Sequence, residues 1–147
     1  MAYILVVEDE LEKPFGNNLF VELLRAEGHS IEFAETGDEA LDRLIELRFD
    51  IVILDIMLPP SKEECIRHET LINIPRPNVG VTVLEMIKRG DFLKTGVSAD
   101  VPVLIVSGVT GDRRWERIRK CVPDKHILTK PCSPELIVSL VQDILGI

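Results

Sequence analysis

Apolar residues recur along the chain in two alternating rhythms. Short, mostly apolar runs at Tyr3 to Val7, Ile31 to Ala34, Ile51 to Leu54, Val103 to Val106 and Ile127 to Thr129 have the length of strands. The unbroken runs among them suit strands covered on both faces. Between these runs, apolar residues step with a helical period. Phe15, Leu19, Phe20, Leu23 and Leu24 form the first such stripe, and Gly28 is its expected stop. Thr36-Gly37-Asp38-Glu39 has the pattern of a capping box, followed by the stripe Ala40, Leu41, Leu44 and Ile45. Val81 to Arg89 carries Val83, Leu84 and Ile87 on one side, and Asp112 to Cys121 places Trp115 and Ile118 inward. Ser133-Pro134 reads as an N-cap with a first-turn proline, opening a last helix through Leu136, Leu140 and Ile144.

Five strand–helix units in 147 residues predict an α/β fold, a doubly wound five-stranded parallel sheet with helices on both faces. The all-parallel alternative, an eight-unit barrel, needs far more chain. One stretch breaks the rhythm. Residues 61–79 exceed an ordinary strand-to-helix loop of roughly 2 to 6 residues. They read as an inserted loop, with one helical turn near Glu63 to His68, inside a single domain spanning 1–147.

Composition narrows the function classes. Apolar residues make up 46% and charged residues 29%, which favours a folded, soluble domain over disorder. With 17 basic against 25 acidic residues, the net charge of -8 repels nucleic acid and anionic membranes, so direct nucleic-acid binding is not expected. No apolar run approaches the roughly 18 residues of a membrane span. The first apolar run passes straight into Glu8-Asp9-Glu10, without the basic flank or cleavage site of a signal peptide. The three cysteines, Cys65, Cys121 and Cys132, are odd in number, widely spaced and free of any CxxC pattern. A reducing cytoplasm is the expected location.

The polar residues at the strand ends carry the candidate chemistry. Glu8 and Asp9 close the first run, Asp55 the third, Ser107 the fourth and Lys130 the fifth. Ligands of open α/β sheets sit beyond the carboxyl ends of the strands. Carboxylates gathered there repel one another unless a cation neutralises them, and an all-oxygen set suits Mg²⁺. A carboxylate beside such an ion, with a lysine and a hydroxyl nearby, can accept a phosphoryl group: Asp55 attacks in line and Lys130 neutralises the moving oxygens. Each residue alone fits a solvated loop, a helix cap or a surface charge equally. Their coincidence at four strand ends on one side is what points to chemistry.

The motifs Ile4-Leu5-Val6-Val7-Glu8-Asp9-Glu10, Leu54-Asp55-Ile56-Met57-Leu58-Pro59, Leu104-Ile105-Val106-Ser107-Gly108 and Leu128-Thr129-Lys130-Pro131 occur in an order that resembles the receiver domain of two-component response regulators. The resemblance implies a flavodoxin-like strand order 2-1-3-4-5. It implies that Asp55 accepts a phosphoryl group from a sensor histidine kinase or phosphotransfer protein. Glu8, Asp9, Asp55 and the Met57 backbone carbonyl would hold Mg²⁺ together with waters. Ser107 would hydrogen-bond the phosphoryl group and move with strand four, Lys130 would contact a phosphoryl oxygen, and Lys130-Pro131 would be cis. Output would pass to a downstream protein through the face of strand four, helix four, strand five and helix five. Homodimerisation stays open.

Several positions depart from the family pattern. Ile127 stands where receivers commonly carry an aromatic switch residue, which removes the rotating ring. His126 beside it points to the opposite face and reads as an ordinary surface or capping histidine. Residues 61–79 replace a loop of a few residues beside the acceptor; a shield, a partner surface and a surface excursion all fit. Met57 and Val109 occupy the two positions that influence the hydrolytic water in receivers, and neither carries a strong hydrogen-bonding group. A long-lived phosphorylated form is therefore expected. His29 and His68 read as surface positions, Trp115 as a packing residue, and the cysteines as inert thiols. Three other readings compete. A phosphatase of the haloacid dehalogenase type expects a second acid where Met57 stands. A flavodoxin-type flavin module needs a phosphate cradle where Glu8-Asp9-Glu10 would repel one. A pseudo-receiver would keep the fold as an interaction module without the chemistry, and the presence of all five polar residues argues against it.

Overall fold

The computed structural model describes residues 1–9, 19–63, 65–108 and 113–147. Glu10, Phe15, Val109 and Asp112, named above, lie outside the described residues. Five parallel strands, β1 (Tyr3–Val7), β2 (Ser30–Ala34), β3 (Ile51–Leu54), β4 (Val103–Ser107) and β5 (Ile127–Thr129), form one sheet in the order β2-β1-β3-β4-β5. The helices are α1 (Leu19–Ala26), α2 (Gly37–Glu46), α3 (Glu69–Ile72), α4 (Val79–Lys88), α5 (Arg113–Cys121) and α6 (Pro134–Leu145). Among the described residues, no helix is long and apolar enough to cross a membrane.

The two-residue period of the strands divides the core into two layers. Leu5, Val7, Val52, Leu54, Val103 and Ile105 point to one side, where they pack with α2, α4 and α5. Ile4, Val6, Ile51, Ile53, Leu104 and Val106 point to the other, against α1 and α6. This is why the central strands carry no polar alternation. The helix signals hold where they were strongest. Gly28 ends α1 with φ of 90°, and the Glu39 amide donates to Thr36 Oγ1 at 3.1 Å to cap α2. The Leu136 amide donates to Ser133 Oγ at 3.2 Å to cap α6.

Other expectations need correction. In α6 the buried stripe runs through Ile137 and Val141, Leu140 and Ile144 flank it, and Leu136 is exposed. Ile45 and Leu19 are likewise exposed, one step past the buried faces of α2 and α1. His29 is buried, and its Nδ1 accepts from the Ala2 amide at 3.0 Å. His68 is half-buried, with Nε2 at 2.8 Å from Asp42 Oδ1. His126 lies on the α6 side, beside Leu140, Asp143 and Ile144, while Ile127 packs into the opposite layer.

The segment 61–79 also differs from expectation, since its helical turn is α3, after His68. The cause is Asp38 in the first turn of α2, whose buried carboxylate accepts from the Arg67 amide at 2.8 Å and the His68 amide at 3.0 Å. Those amides are thereby spent outside a helix, and His68 stays extended at φ -88° and ψ 117°. Leu71 and Val79 then bury completely against α2, where a Cβ on Gly37 would come within 2.7 Å of Val79 Cγ1. A short 3₁₀ turn, Arg76–Asn78, leads into α4.

Candidate functional site

Three backbone bonds align the carboxyl ends of the strands. The Asp55 amide donates to the Val7 carbonyl at 2.9 Å, the Glu8 amide to Ala34 at 2.9 Å, and the Lys130 amide to Ser107 at 2.9 Å. Parallel pairing thus delivers Glu8, Asp55, Ser107 and Lys130 to one end of the sheet. Glu8, Asp55 and Ser107 are buried there. Lys130, 122 residues after Glu8 in sequence, places Nζ 2.6 Å from Glu8 Oε1 and 2.9 Å from Asp55 Oδ2. The second Asp55 oxygen, Oδ1, accepts from the Met57 amide at 2.9 Å, which fixes the plane of the carboxylate.

An open cleft of about 480 Å³ lies over these residues, lined by Asp9, Asp55, Met57, Gly108 and Lys130 and by Arg76 and Pro77 from the 61–79 segment. Burial alone would lower the affinity of the Lys130 ammonium for its proton. The hydrogen bonds to Asp55 and Glu8 outweigh that penalty and hold it above the ordinary lysine range. The ammonium is therefore a permanent charge at neutral pH, able to donate to anionic oxygens.

The loop after Asp55 is clamped from both sides. The Pro59 and Pro60 carbonyls accept from the Gly37 and Asp38 amides at 2.8 and 3.0 Å, so the open N-terminus of α2 is satisfied by this loop. On the other side, a Cβ on Gly80 would lie 2.4 Å from the Ile56 carbonyl oxygen, so only glycine lets α4 approach so closely. The Met57 side chain turns outward, with Sδ 3.3 Å from Arg114 Nη1. That same nitrogen donates to the Pro77 carbonyl at 2.9 Å, joining α5 to the 61–79 segment.

All the residues anticipated from the strand ends thus meet at one place. Glu8, Asp55 and Lys130 are directly bonded, Asp9 and Met57 share the cleft with them, and Ser107 closes β4 beside Lys130. Arg76, Pro77 and Arg114 were not anticipated. Pro75-Arg76-Pro77 does advertise a stiff turn, but nothing local says where that turn docks. The cis bond between Lys130 and Pro131 is present. The cysteines are free, and burial pushes the Cys121 and Cys132 thiols up.

A five-stranded sheet in this order, with acids at the ends of β1 and β3 and a lysine at the end of β5, defines the receiver class of α/β domains. No family model matches the chain. It is 31% identical over 142 residues to the nitrogen assimilation regulatory protein NtrX of Azorhizobium caulinodans, a match covering 87% of this chain and 30% of that protein. It is 27% identical to the polar-differentiation response regulator DivK of Brucella anthropi, covering 97% of this chain and 95% of that one. The chain spans only 30% and 22% of the lengths of NtrX and of the transcriptional regulatory protein ResD of Bacillus subtilis. Among solved structures, the chemotaxis response regulator CheY4 of Vibrio cholerae superposes with a TM-score of 0.68 at 22% identity, covering 98% of each chain. The non-phosphorylated HemR receiver domain of Leptospira biflexa gives 0.68 at 22% identity, covering 100% of this chain and 96% of that one. In fold and in sequence, the chain is similar to receiver domains of response regulators.

Proposed function

We propose that Asp55 is the phosphoacceptor of this receiver, charged in a Mg²⁺-dependent reaction by a phosphohistidine on a sensor kinase or phosphotransfer protein. The observation that carries the reading is the position of Lys130 Nζ, 2.9 Å from a buried aspartate whose other oxygen is held by a backbone amide. In the transfer, an Asp55 oxygen attacks phosphorus, the P–N bond of the donor breaks, and the imidazole leaves as an acyl phosphate forms. Lys130 offers its protons to the phosphoryl oxygens, and Ser107 supplies a hydroxyl from the end of β4. The Met57 amide keeps the carboxylate from turning away.

The donor set fits a hard cation. Asp9 and Asp55 face one cleft with Met57, and Mg²⁺ takes one or two carboxylates while keeping several waters. Asp9, Asp55 and the Met57 carbonyl would hold the ion together with waters, and Glu8, bonded to Lys130 beside them, would add its negative charge to the same site. When bound, the ion neutralises the phosphoryl oxygens.

A group on Asp55 that draws on Ser107 and Lys130 acts on β4 and β5 together. Phosphorylation then shifts a pre-existing equilibrium of the face formed by β4, α5, β5 and α6, and with it the affinity for a downstream protein in the cytoplasm. Helices four and five of the simple pattern are α5 and α6 here, because α3 intervenes. Ile127 packs into the core at the head of β5, so packing rather than ring rotation couples the site to this face. The test is incubation with acetyl phosphate and Mg²⁺ followed by intact-mass measurement. The expected result is one added phosphoryl group, absent in Asp55→Asn and absent after chelation. No gain in the native chain, or an equal gain in the variant, overturns the proposal and leaves a pseudo-receiver.

A further inference from the structure

We propose that Arg76, carried to the cleft by the 61–79 segment, is a phosphoryl-binding residue that supplies a second cation to the group on Asp55. The inference rests on the reading of Asp55 as the acceptor and goes beyond it, because it gives the segment a part in the site. Arg76 lines the same cleft as Asp9, Asp55 and Lys130. The lysine ammonium is already divided between two carboxylates, Glu8 and Asp55. A phosphoryl group adds roughly 1.5 to 2 further negative charges at this point. The Arg76 guanidinium makes no hydrogen bond or ion pair with any described residue, so no partner must be displaced before it reaches an anion. Its planar fork matches phosphate oxygens better than a point charge does.

The turn that carries it is held firmly. Pro75 and Pro77 flank the arginine, the Asn78 amide donates to the Pro75 carbonyl at 2.8 Å, and Arg114 holds the Pro77 carbonyl at 2.9 Å. Val79 is fully buried immediately beyond, and Gly80 rests on the Ile56 backbone, one residue after Asp55. Little backbone order remains to be lost when the side chain binds. Arg76 itself is exposed, so replacing it removes a charge and leaves the core intact.

Beryllofluoride, a phosphoryl stand-in, is the probe, titrated with Mg²⁺ into the full chain and followed by the fluorescence of Trp115, the single tryptophan. Arg76→Ala and Arg76→Gln are expected to weaken its apparent affinity by about three- to tenfold, with unchanged urea midpoints in the absence of the probe. Arg76→Lys should fall between them and the native protein, and the salt dependence of binding should be shallower in the neutral variants. Native affinity in both neutral variants, with the native protein binding and Asp55→Asn not, overturns the role of Arg76 alone. Absence of binding to the native protein, or equal binding to Asp55→Asn, removes the acceptor reading and this proposal with it.

Discussion

Replacing Lys130 by methionine leaves two buried carboxylates facing each other, and the consequence can be worked from the geometry. Glu8 and Asp55 are 7% and 6% exposed in their side chains, and the Lys130 side chain that reaches between them is 16% exposed. At 2.6 and 2.9 Å each attraction is about 6 kcal/mol gross at an effective dielectric of about 20. Desolvation of the three ions offsets most of that, and removing one member of such a buried set costs about 3 to 5 kcal/mol. Methionine keeps most of the volume, so packing contributes little to the loss. Urea unfolding of both proteins in chelator at pH 7 measures this, and equal midpoints would refute the buried three-ion arrangement.

Other expectations follow from neighbouring contacts. Gly80→Ala places a carbon 2.4 Å from the Ile56 carbonyl oxygen and should cost about 1 to 3 kcal/mol in urea unfolding; a native midpoint would show that α4 does not rest on the acceptor loop. Hydrogen bonds from Arg67 and then His68 hold the Asp42 carboxyl below its usual range, against the penalty of burial. Its depressed folded pKa contributes stability above the unfolded value that is lost as pH drops through the folded one, so Asp42→Asn should destabilise at pH 7 and cost progressively less as the pH falls through that lowered value. The same variant should speed amide exchange in residues 65–75, and unchanged exchange there would sink the anchoring role of that pair. With Met57 turned towards Arg114, nothing polar from that position orients a hydrolytic water, so phosphorylated protein should outlast minutes in Mg²⁺. A half-life of seconds, read by intact mass after donor removal, contradicts it.

Local pattern decided most of the architecture, because strand burial, helix caps and parallel crossovers each leave a short-range trace. The run Tyr3 to Val7 needs no polar alternation once both faces are covered, and Thr36 and Ser133 mark helix starts through a hydroxyl and an amide a few residues apart. The same logic brought Glu8, Asp55, Ser107 and Lys130 into one frame: parallel strands all end on the same side, so residues that close separate strands must converge. Where the trace is long-range, the pattern was silent. The turn at α3 begins after His68 because a carboxylate 30 residues earlier takes that amide, and His29 is buried because the chain start lies across it. Arg76 reaches the cleft only through the docking of Leu71 and Val79 on α2 and the hold of Arg114 on Pro77. Such contacts join elements far apart in sequence. Packing alone selects them, whereas caps and strand periods depend on neighbours that the chain supplies directly.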